Sequence, residues 1–377
     1  MTESDSGVPF LDLVSQQAEV ADEVLPVWQR LFTTAQFVGG PEIAQFEREY
    51  AAYLGVEHCV AVGNGTDALE LSYRALGIGP GDEVIVPVNT FIATAETVTS
   101  IGATPVFVDV DEDQLLIDPA AVEAAITPRT RAIAAVHLFG QTAPIDALRP
   151  IAERHGVALV EDAAQSQGAS SSLGRAGALG TITATSFYPG KNLGAAGDAG
   201  AVLTNDAALA DFVRNYAGHG SSVKYVHDRP GGNSRMDAIH AVILSAKLGR
   251  LDEWNRARAA AADRYAELLA EVPGIRTPAS RAGNEDVWHL YVVRLAERDR
   301  VLGELHAVGI GAAIHYPTPL HLTDAYAGLG YQKGRFPVAE AAAERILSLP
   351  MFPHLTVDQQ EHVVAALKAA ASVDALG

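Results

Sequence analysis

Short runs rich in valine, isoleucine and alanine alternate along the chain with longer segments whose apolar residues recur at helical spacing. Ile43, Phe46, Tyr50 and Leu54, for example, lie three or four positions apart, which predicts one apolar helix face. The run at 58–62 that follows is apolar and ends at a glycine turn, as expected of a buried strand. Strands and helices that alternate in this way predict an α/β fold with a mostly parallel central sheet flanked by helices.

The same criteria predict further elements along the first two thirds of the chain. Helices are predicted over 43–54, 67–76, 93–101 and 145–155, and strands over 83–86, 105–108, 132–137, 157–160, 184–188 and 201–204.

A long or kinked helical segment over 238–271 separates this series from a second one. The second series has predicted strands at 288–295 and 312–315 and predicted helices at 298–308, 338–346 and 357–371. We therefore predict a large domain over 1–255 and a smaller C-terminal α+β domain over 256–377, with a boundary near Arg256. Residues 1–30 are a candidate for packing on the small domain, and Met1 to Gly7 are expected to be frayed.

Composition limits the classes of protein to which this chain can belong. With 377 residues, of which 48% are hydrophobic, it is long and apolar enough for a large core. Its formal net charge of -19 argues against nucleic acid or an anionic membrane as a partner. The single cysteine, Cys59, lies in an apolar run and is predicted to pack in the core rather than to form a disulfide or metal site. The sequence has neither a signal-peptide pattern nor a membrane-spanning stretch, so we expect a soluble protein of the reducing cytoplasm.

Polar or glycine-rich loops follow four of the predicted strands, at 63–67, 89–91, 162–165 and 186–191. Because ligands in open parallel sheets bind outside the carboxyl ends of the strands, we expect these four loops to lie close together. Their convergence on one edge of the sheet predicts a binding site there.

The first of these loops, Gly63-Asn64-Gly65-Thr66, joins a strand to a helix. Free backbone N–H groups and the helix dipole make such a junction an anion site. The same string fits a dinucleotide-binding fingerprint, but that function needs an acidic residue at the end of the next strand, which instead ends in Pro87-Val88-Asn89. A tight turn that only packs a helix on a strand is the remaining alternative.

Lys191 and Asp162 supply the reactive groups of the predicted site. Lys191 closely follows a buried-type strand and has small neighbours, unlike a solvated surface lysine. Asp162 ends a strand, where aspartate is also a common helix cap. A lysine, a carboxylate and an anion-cradling turn are the three groups that pyridoxal phosphate needs from a protein. Phe91 is placed either to stack on a flat heterocycle or to pack in the core. His219 and His315 have no metal-binding neighbours in sequence, and no metal site is predicted.

With these motifs the chain closely resembles the DegT/DnrJ/EryC1/StrS family of pyridoxal-phosphate-dependent aminotransferases, which act on nucleotide-linked keto-sugars. The resemblance extends over nearly the whole chain, from Val8 to Pro353. It is carried by Gly-Asn-Gly-Thr-Asp-Ala-Leu at 63–69, Val-His-Leu-Phe-Gly-Gln at 136–141, Glu-Asp-Ala-Ala-Gln-Ser-Gln-Gly-Ala at 161–169, the segment around Lys191, Asn-Ser-Arg-Met-Asp at 233–237 and His-Tyr-Pro at 315–317.

The resemblance implies an aspartate-aminotransferase-type fold (fold type I), a cofactor-binding large domain and a homodimer with shared active sites. It implies that Lys191 is the Schiff-base lysine, that Asp162 pairs with the pyridine nitrogen, and that Gln165 lies by the phenolic oxygen. By the same resemblance, Phe91 would stack on the ring and Gly65, Thr66, Ser186 and a neighbouring subunit's Asn233 would hold the phosphate. The residues expected to line the sugar-nucleotide site are Tyr188, Lys224, Tyr225, Arg235, His315, Tyr316 and His321.

The string Phe-Tyr-Pro-Gly-Lys-Asn-Leu-Gly-Ala, followed by Gly-Asp-Ala-Gly, resembles family members that aminate C3 of a dTDP-linked 3-keto-6-deoxyhexose. This implies L-glutamate as the donor, pyridoxamine phosphate as the amino carrier, and a role in making amino sugars for antibiotics or surface polysaccharides. An aminotransferase for C4 of a sugar or for an inosose, and a non-catalytic binding protein of the same fold, are the alternatives. The related sugar dehydratases have histidine where this chain has Lys191.

Overall fold

The computed structural model describes residues 7–371, which form a central sheet, helices on both of its faces and a smaller sheet near the C-terminal end. The strands are β1 (His58–Val62), β2 (Glu83–Pro87), β3 (Thr104–Val108), β4 (Thr130–Val136), β5 (Ala158–Asp162), β6 (Ser170–Ser171), β7 (Gly174–Arg175), β8 (Ile182–Ser186), β9 (Gly200–Thr204), β10 (Ser221–Val223), β11 (Val226–His227), β12 (Tyr291–Arg294) and β13 (Ile346–Leu349).

The helices account for most of the remaining regular structure. They are α1 (Leu13–Thr34), α2 (Pro41–Leu54), α3 (Gly65–Ala75), α4 (Ala93–Ser100), α5 (Pro119–Ala125), α6 (Ile145–His155), α7 (Ala207–Ala217), α8 (Ala238–Leu248), α9 (Leu251–Leu269), α10 (Arg298–Ala307), α11 (Pro337–Ala343) and α12 (Val357–Ala371), with 3-10 turns at Leu138–Gly140, Leu320–Leu322 and Asp324–Leu329.

The central sheet has seven strands in the order β1-β9-β8-β5-β4-β2-β3. All of its neighbours pair in parallel except at β9, which runs antiparallel to β1 on one side and to β8 on the other. Parallel strands need helical crossovers, and these cover both faces of the sheet. The observed architecture confirms the predicted α/β fold with a mostly parallel sheet.

Successive side chains of the central strands enter different cores because they point to opposite faces of the sheet. On β1, Val60 and Val62 pack in the cluster that includes α3, α4 and α7. Cys59 and Ala61 pack against α2 and α8 in a second cluster. Cys59 is therefore a buried core residue, as predicted.

A further cluster lies around the antiparallel pair β12–β13, between the C-terminal half of α9 and helices α10 and α12. Val8 belongs to this cluster and pairs in parallel with Ile310, whereas α1 packs on α8. The division into 1–255 and 256–377 stays a prediction, and Arg256 itself lies within the continuous helix α9.

Several predicted elements differ from the structure. The helical segment over 238–271 is two helices, which break at Gly249 and Arg250. The predicted strand at 312–315 is wrong, because only Ala313 forms a bridge, to Ser348. The predicted helix at 338–346 ends at Ala343, and strand β13 follows it. Of Met1 to Gly7, which are expected to be frayed, residues 1–6 lie outside the described residues.

Between residues 7 and 371, no helix has the length and apolar character needed to cross a membrane. That part of the chain also brings together no group of three or more histidine, cysteine, aspartate or glutamate side chains suited to a metal ion.

Candidate active site

A cavity of about 600 Å³ opens at the carboxyl ends of the central strands, where the predicted loops converge. It brings together nine of the residues that were predicted for the site: Gly65, Thr66, Phe91, Asp162, Gln165, Ser186, Tyr188, Lys191 and Tyr316. Residues far apart in sequence therefore face one space, because parallel strands end on the same edge of the sheet.

The turn between β1 and α3 forms one wall of this cavity. Asn64 caps α3 by accepting a hydrogen bond from the Asp67 backbone N–H at 2.8 Å, so the helix begins at Gly65 and its first N–H groups border the cavity. A Cβ added at Gly65 would come within 2.6 Å of the Ser186 Cβ. Glycine thus lets the helix N-terminus and the end of β8 meet closely, and a helix N-terminus open to a cavity suits an anion such as a phosphate.

Asp162 lies at the end of β5, and its buried carboxylate accepts two hydrogen bonds. Thr94 Oγ1 donates to Asp162 Oδ2 at 2.7 Å, and Thr90 Oγ1 lies 3.0 Å from Thr94 Oγ1. The Ala164 backbone N–H donates to the other oxygen at 3.2 Å, so Asp162 also caps the local turn. No helix directly follows β5, so the predicted helix cap is a turn contact, and the pairing of Asp162 with a ring nitrogen stays a prediction.

Glu161, the neighbouring acid, lies on the opposite face of β5, since adjacent strand residues alternate. It is fully buried and accepts hydrogen bonds from His137 Nε2 at 2.7 Å and from the Gly177 and Leu179 N–H groups. Burial acts to raise the pKa of Glu161, but the hydrogen bonds, with His137 the strongest, hold that pKa below its ordinary value. Glu161 thus stabilises the fold, and Asp162 alone of this pair reaches the cavity.

The orientation of the Gln165 side chain is fixed by its partners. The Phe139 backbone N–H donates to Gln165 Oε1 at 2.7 Å, and such a donor must face the amide oxygen. The Nε2 group is therefore turned towards the Tyr316 hydroxyl, 3.0 Å away. This leaves Gln165 as a hydrogen-bond donor into the cavity, as an oxygen of a bound ring would require.

Lys191 lies in the loop between β8 and β9, and its backbone N–H donates to Tyr188 O at 2.8 Å. The loop is tight, since a Cβ at Gly194 would come within 2.2 Å of Pro189 O. Burial lowers the pKa of Lys191 from 10.5 to about 8, although the negative charge of Asp162 acts to raise it. A larger share of this amine is thus neutral and nucleophilic near neutral pH than for an exposed lysine.

These features fit pyridoxal 5'-phosphate. The helix N-terminus with Thr66 and Ser186 suits the phosphate, Asp162 suits a protonated ring nitrogen, and Lys191 is an amine of lowered pKa in the same cavity. Phe91 is 50% exposed beside this space, and its ring centroid lies 5.6 Å from that of Tyr316. It is therefore an open aromatic face rather than a core residue.

Six predicted residues do not line this cavity within the chain. Lys224 and Tyr225 lie in the exposed β10–β11 hairpin, and Asn233 and Arg235 are exposed on the segment that follows it. His315 Nδ1 lies 2.9 Å from Ser348 Oγ, and burial, together with the charge of Lys191, lowers the pKa of His315 to about 4. The sixth, His321, is buried.

The place of His321 follows from its partner. Its Nε2 lies 2.9 Å from Glu340 Oε1, and its side chain packs against the Phe336 ring at a centroid distance of 4.8 Å. Both contacts hold the imidazole in the core near α11. His321 does not reach the cavity of this chain.

Other polar residues of the site were not singled out from the sequence. Thr90 and Asp198 line the cavity, and Thr94 contacts Asp162 behind it. Asp67 lines it too and accepts a hydrogen bond from Ser234 Oγ at 2.6 Å. Asp198 could have been predicted from the sequence, because it lies in the Gly-Asp-Ala-Gly string after Lys191. The contact that the Thr94 hydroxyl makes has no signal in the sequence.

Comparison with known protein families gives one match along most of the chain. Residues 19–368 match the family model described as the DegT/DnrJ/EryC1/StrS aminotransferase family.

Individual proteins match over nearly their whole length. The chain is 50% identical to the "Erythromycin biosynthesis sensory transduction protein EryC1" of Saccharopolyspora erythraea, over 97% of this chain and 100% of that protein. It is 47% identical to the "dTDP-3-amino-3,4,6-trideoxy-alpha-D-glucose transaminase" of Streptomyces venezuelae, over 96% of this chain and 95% of that protein.

Among solved structures, that of S. venezuelae DesV in complex with a ketimine intermediate superposes with a TM-score of 0.94. It is 47% identical and covers 97% of this chain and 98% of its own. This similarity bears out the fold described above.

Proposed function

Since this chain belongs to the DegT/DnrJ/EryC1/StrS aminotransferase family, we propose that it transfers the amino group of L-glutamate to C3 of a dTDP-linked 3-keto-6-deoxyhexose. The chain is a transaminase, and pyridoxal 5'-phosphate is its cofactor. The donor, the sugar and the position on the sugar are the proposed parts.

The observation that carries the proposal is the placement of Lys191, Asp162 and the N-terminus of α3 around one cavity. Bound pyridoxal phosphate supplies an electron sink that makes the α-proton of an amino acid removable. Lys191 has a lowered pKa and lies in the same cavity, so its neutral amine is suited to take that proton and later return it. The Asp162 carboxylate would hold a proton on the ring nitrogen, and Thr94 orients that carboxylate.

The choice of C3 is supported by two observations. The loop after Lys191 has the Gly-Asp-Ala-Gly string on which the sequence prediction rests, and Asp198 of that string lines the cavity. The relative from Streptomyces venezuelae is named for a dTDP-linked trideoxyglucose that carries its amino group at C3.

A homodimer is proposed to complete the site. The predicted site residues Lys224, Tyr225, Asn233 and Arg235 are exposed and do not line the cavity of their own chain. Tyr225 is 82% exposed, and large apolar residues elsewhere on the surface, such as Phe32 at 78%, also lack cover. A partner subunit would cover residues of this kind. In a dimer, Lys224 and Arg235 could meet the diphosphate of the neighbouring subunit's substrate and reconcile an anionic ligand with a chain of net charge -19.

The wider setting is also a prediction. We place the enzyme in the cytoplasm, in the biosynthesis of amino sugars for antibiotics or surface polysaccharides.

The decisive experiment supplies the holoenzyme with L-glutamate and either dTDP-3-keto- or dTDP-4-keto-6-deoxyglucose, then determines which product carbon bears nitrogen. Glutamate alone should bleach the yellow cofactor-loaded enzyme to its pyridoxamine phosphate form, and the 3-keto sugar should restore the colour. Nitrogen at C4 would overturn the position assignment but leave the transaminase intact.

Lys191→Ala provides the matching control for the chemistry. It should bind cofactor without covalent attachment and lose turnover, because no other group at this position supplies an amine. Near-normal turnover in this variant would refute the assigned role of Lys191. A chain that neither attaches the cofactor nor responds to glutamate would instead favour a non-catalytic binding protein.

A further inference from the structure

The side chain next to Lys191 is buried in a network that the reaction itself does not use. Asn192 is 2% exposed, and its Nδ2 donates to Val287 O and to Asn255 Oδ1, each at 2.9 Å. Its Oδ1 lies 3.0 Å from His289 Nδ1. One amide thus joins the Lys191 loop to α9 and to the segment that leads into β12.

The partners fix the chemical form of the network. A backbone carbonyl only accepts, so Val287 O requires the Nδ2 end of Asn192 and leaves Oδ1 to accept from His289. His289 must therefore carry its proton on Nδ1. Burial, followed by the charge of Lys191, lowers the pKa of His289 well below its ordinary value, which keeps the ring neutral.

The network continues from Asn255 to Ser186, which is one of the residues predicted to hold the cofactor's phosphate. Asn255 Nδ2 donates to Gln167 O at 2.9 Å, which fixes the Asn255 amide with its oxygen towards Asn192. Gln167 Nε2 in turn donates to Ser186 O at 2.8 Å. The lysine loop and the end of β8 are thus connected through the buried side chains of Asn255 and Gln167.

We propose that Asn192 is a positioning residue for Lys191: its three buried hydrogen bonds hold the lysine loop so that the Lys191 amine faces the carbonyl carbon of the cofactor. This inference rests on the proposed role of Lys191. Asn192 does not line the cavity, so a change at position 192 is expected to alter the reach of the neighbouring amine and to leave the phosphate and ring contacts in place.

The test compares two ligands that differ in their need for the lysine. Pyridoxal phosphate and the Lys191 amine form a carbon–nitrogen double bond and release one water, whereas pyridoxamine phosphate binds without any bond to lysine. Asn192→Ala removes all three hydrogen bonds. Asn192→Asp keeps the acceptor for His289 but turns an oxygen towards Val287 O and Asn255 Oδ1, so it should not rescue.

For each variant, three quantities are measured: the rate of attachment by visible absorbance, the Kd for pyridoxamine phosphate, and the Tm of the cofactor-free protein. Both variants should attach pyridoxal phosphate about 10- to 100-fold more slowly, the loss expected for a misplacement of about 1 Å, with pyridoxamine phosphate affinity unchanged. Asn284→Ala, which removes a comparable 2.9 Å hydrogen bond to Thr142 O outside the cavity, is the control and should leave both ligands unaffected.

Two outcomes overturn the proposal. Unchanged attachment in both variants shows that the lysine needs no such support, and equal losses for both ligands show a purely structural role. If Asn192→Ala does not fold, Asn192→Asp, which keeps the acceptor for His289 and leaves the Asn255 bond to Gln167 O in place, is judged by the same comparison. A wild-type protein that fails to attach pyridoxal phosphate sinks the proposed function instead, so the two failures are distinguishable.

Discussion

The lowered pKa of Lys191 can be tested in the cofactor-free enzyme by the pH dependence of its reaction with an acylating reagent. A fall from 10.5 to about 8 is worth about 3 kcal/mol of preference for the neutral amine. At about pH 7 the neutral fraction rises from about 1 in 3,000 to about 1 in 10. Lys191 should therefore be acylated with a midpoint near pH 8. Mass spectrometry of the peptide that contains Lys191 measures the extent of acylation. Nα-acetyl-lysine, whose side-chain amine is free, is the reference in the same tube.

Removal of the Asp162 charge tests the direction in which that charge shifts the pKa of Lys191. Burial lowers the pKa of Lys191 and Asp162 raises it, so Asp162→Asn should move the midpoint further down. The isosteric amide keeps the cavity filled, which separates charge from packing. A wild-type midpoint that coincides with that of acetyl-lysine, or an upward shift in Asp162→Asn, would refute the electrostatic account of this lysine.

Three further variants test other parts of the structure. Gly65→Ala should weaken pyridoxal phosphate binding and lower the free energy of unfolding by about 1–3 kcal/mol, since the new methyl would meet Ser186. Cofactor titration and urea unfolding measure the two effects. An unchanged Kd for the cofactor would contradict the close approach of Gly65 and Ser186. Gln165→Ala should cost about 1–3 kcal/mol in urea unfolding because the Phe139 N–H is left buried and unpaired, whereas Gln165→Glu, which keeps an acceptor, should lose less. Lys247 is 1% exposed, donates to a loop carbonyl at 2.7 Å, and has a pKa lowered by burial to about 8. Between about pH 8 and 10.5 the unfolded state binds more protons at this lysine than the folded state does. The free energy of unfolding of the wild type should therefore rise with pH more steeply than that of Lys247→Met. Parallel plots of this free energy against pH would disprove the lowered pKa.

Local signals explain which elements could be predicted from the sequence. Strand β1, helix α6 and helix α12 have their predicted bounds, and α6 shows why: Gly156 follows it at φ 63°, the left-handed C-cap that glycine supplies. Helix α1 was not predicted, because Pro26 interrupts its pattern and few of its residues are buried. The segment 312–315 has a strand-like sequence, but its only backbone bridge joins Ala313 to Ser348. Ser348 also pairs with Val292 of β12.

The candidate site divides in the same way. Residues that follow a strand end within a recognisable string, such as Thr66, Asp162 and Lys191, could be placed from the sequence because parallel strands bring their ends together. Thr94 and Asn255 could not, because their contacts join positions 68 and 63 residues apart through helix packing that no local pattern encodes. Residues predicted to serve a neighbouring subunit, such as Asn233, depend on an assembly that stays a prediction.

The reversed strand β9 has a consequence for how such a site can diversify. Gly200 pairs with Val62 of β1 on one side and with Ser186 of β8 on the other, so a single rung of the sheet closes both ends of the loop 187–199. That loop carries Lys191 and Asp198, while the phosphate turn is anchored to the rung itself. Loop positions other than Lys191 and the buried Asn192, such as Asp198, can thus vary and change the substrate contacts, while the rung keeps the predicted phosphate turn beside the ends of the loop.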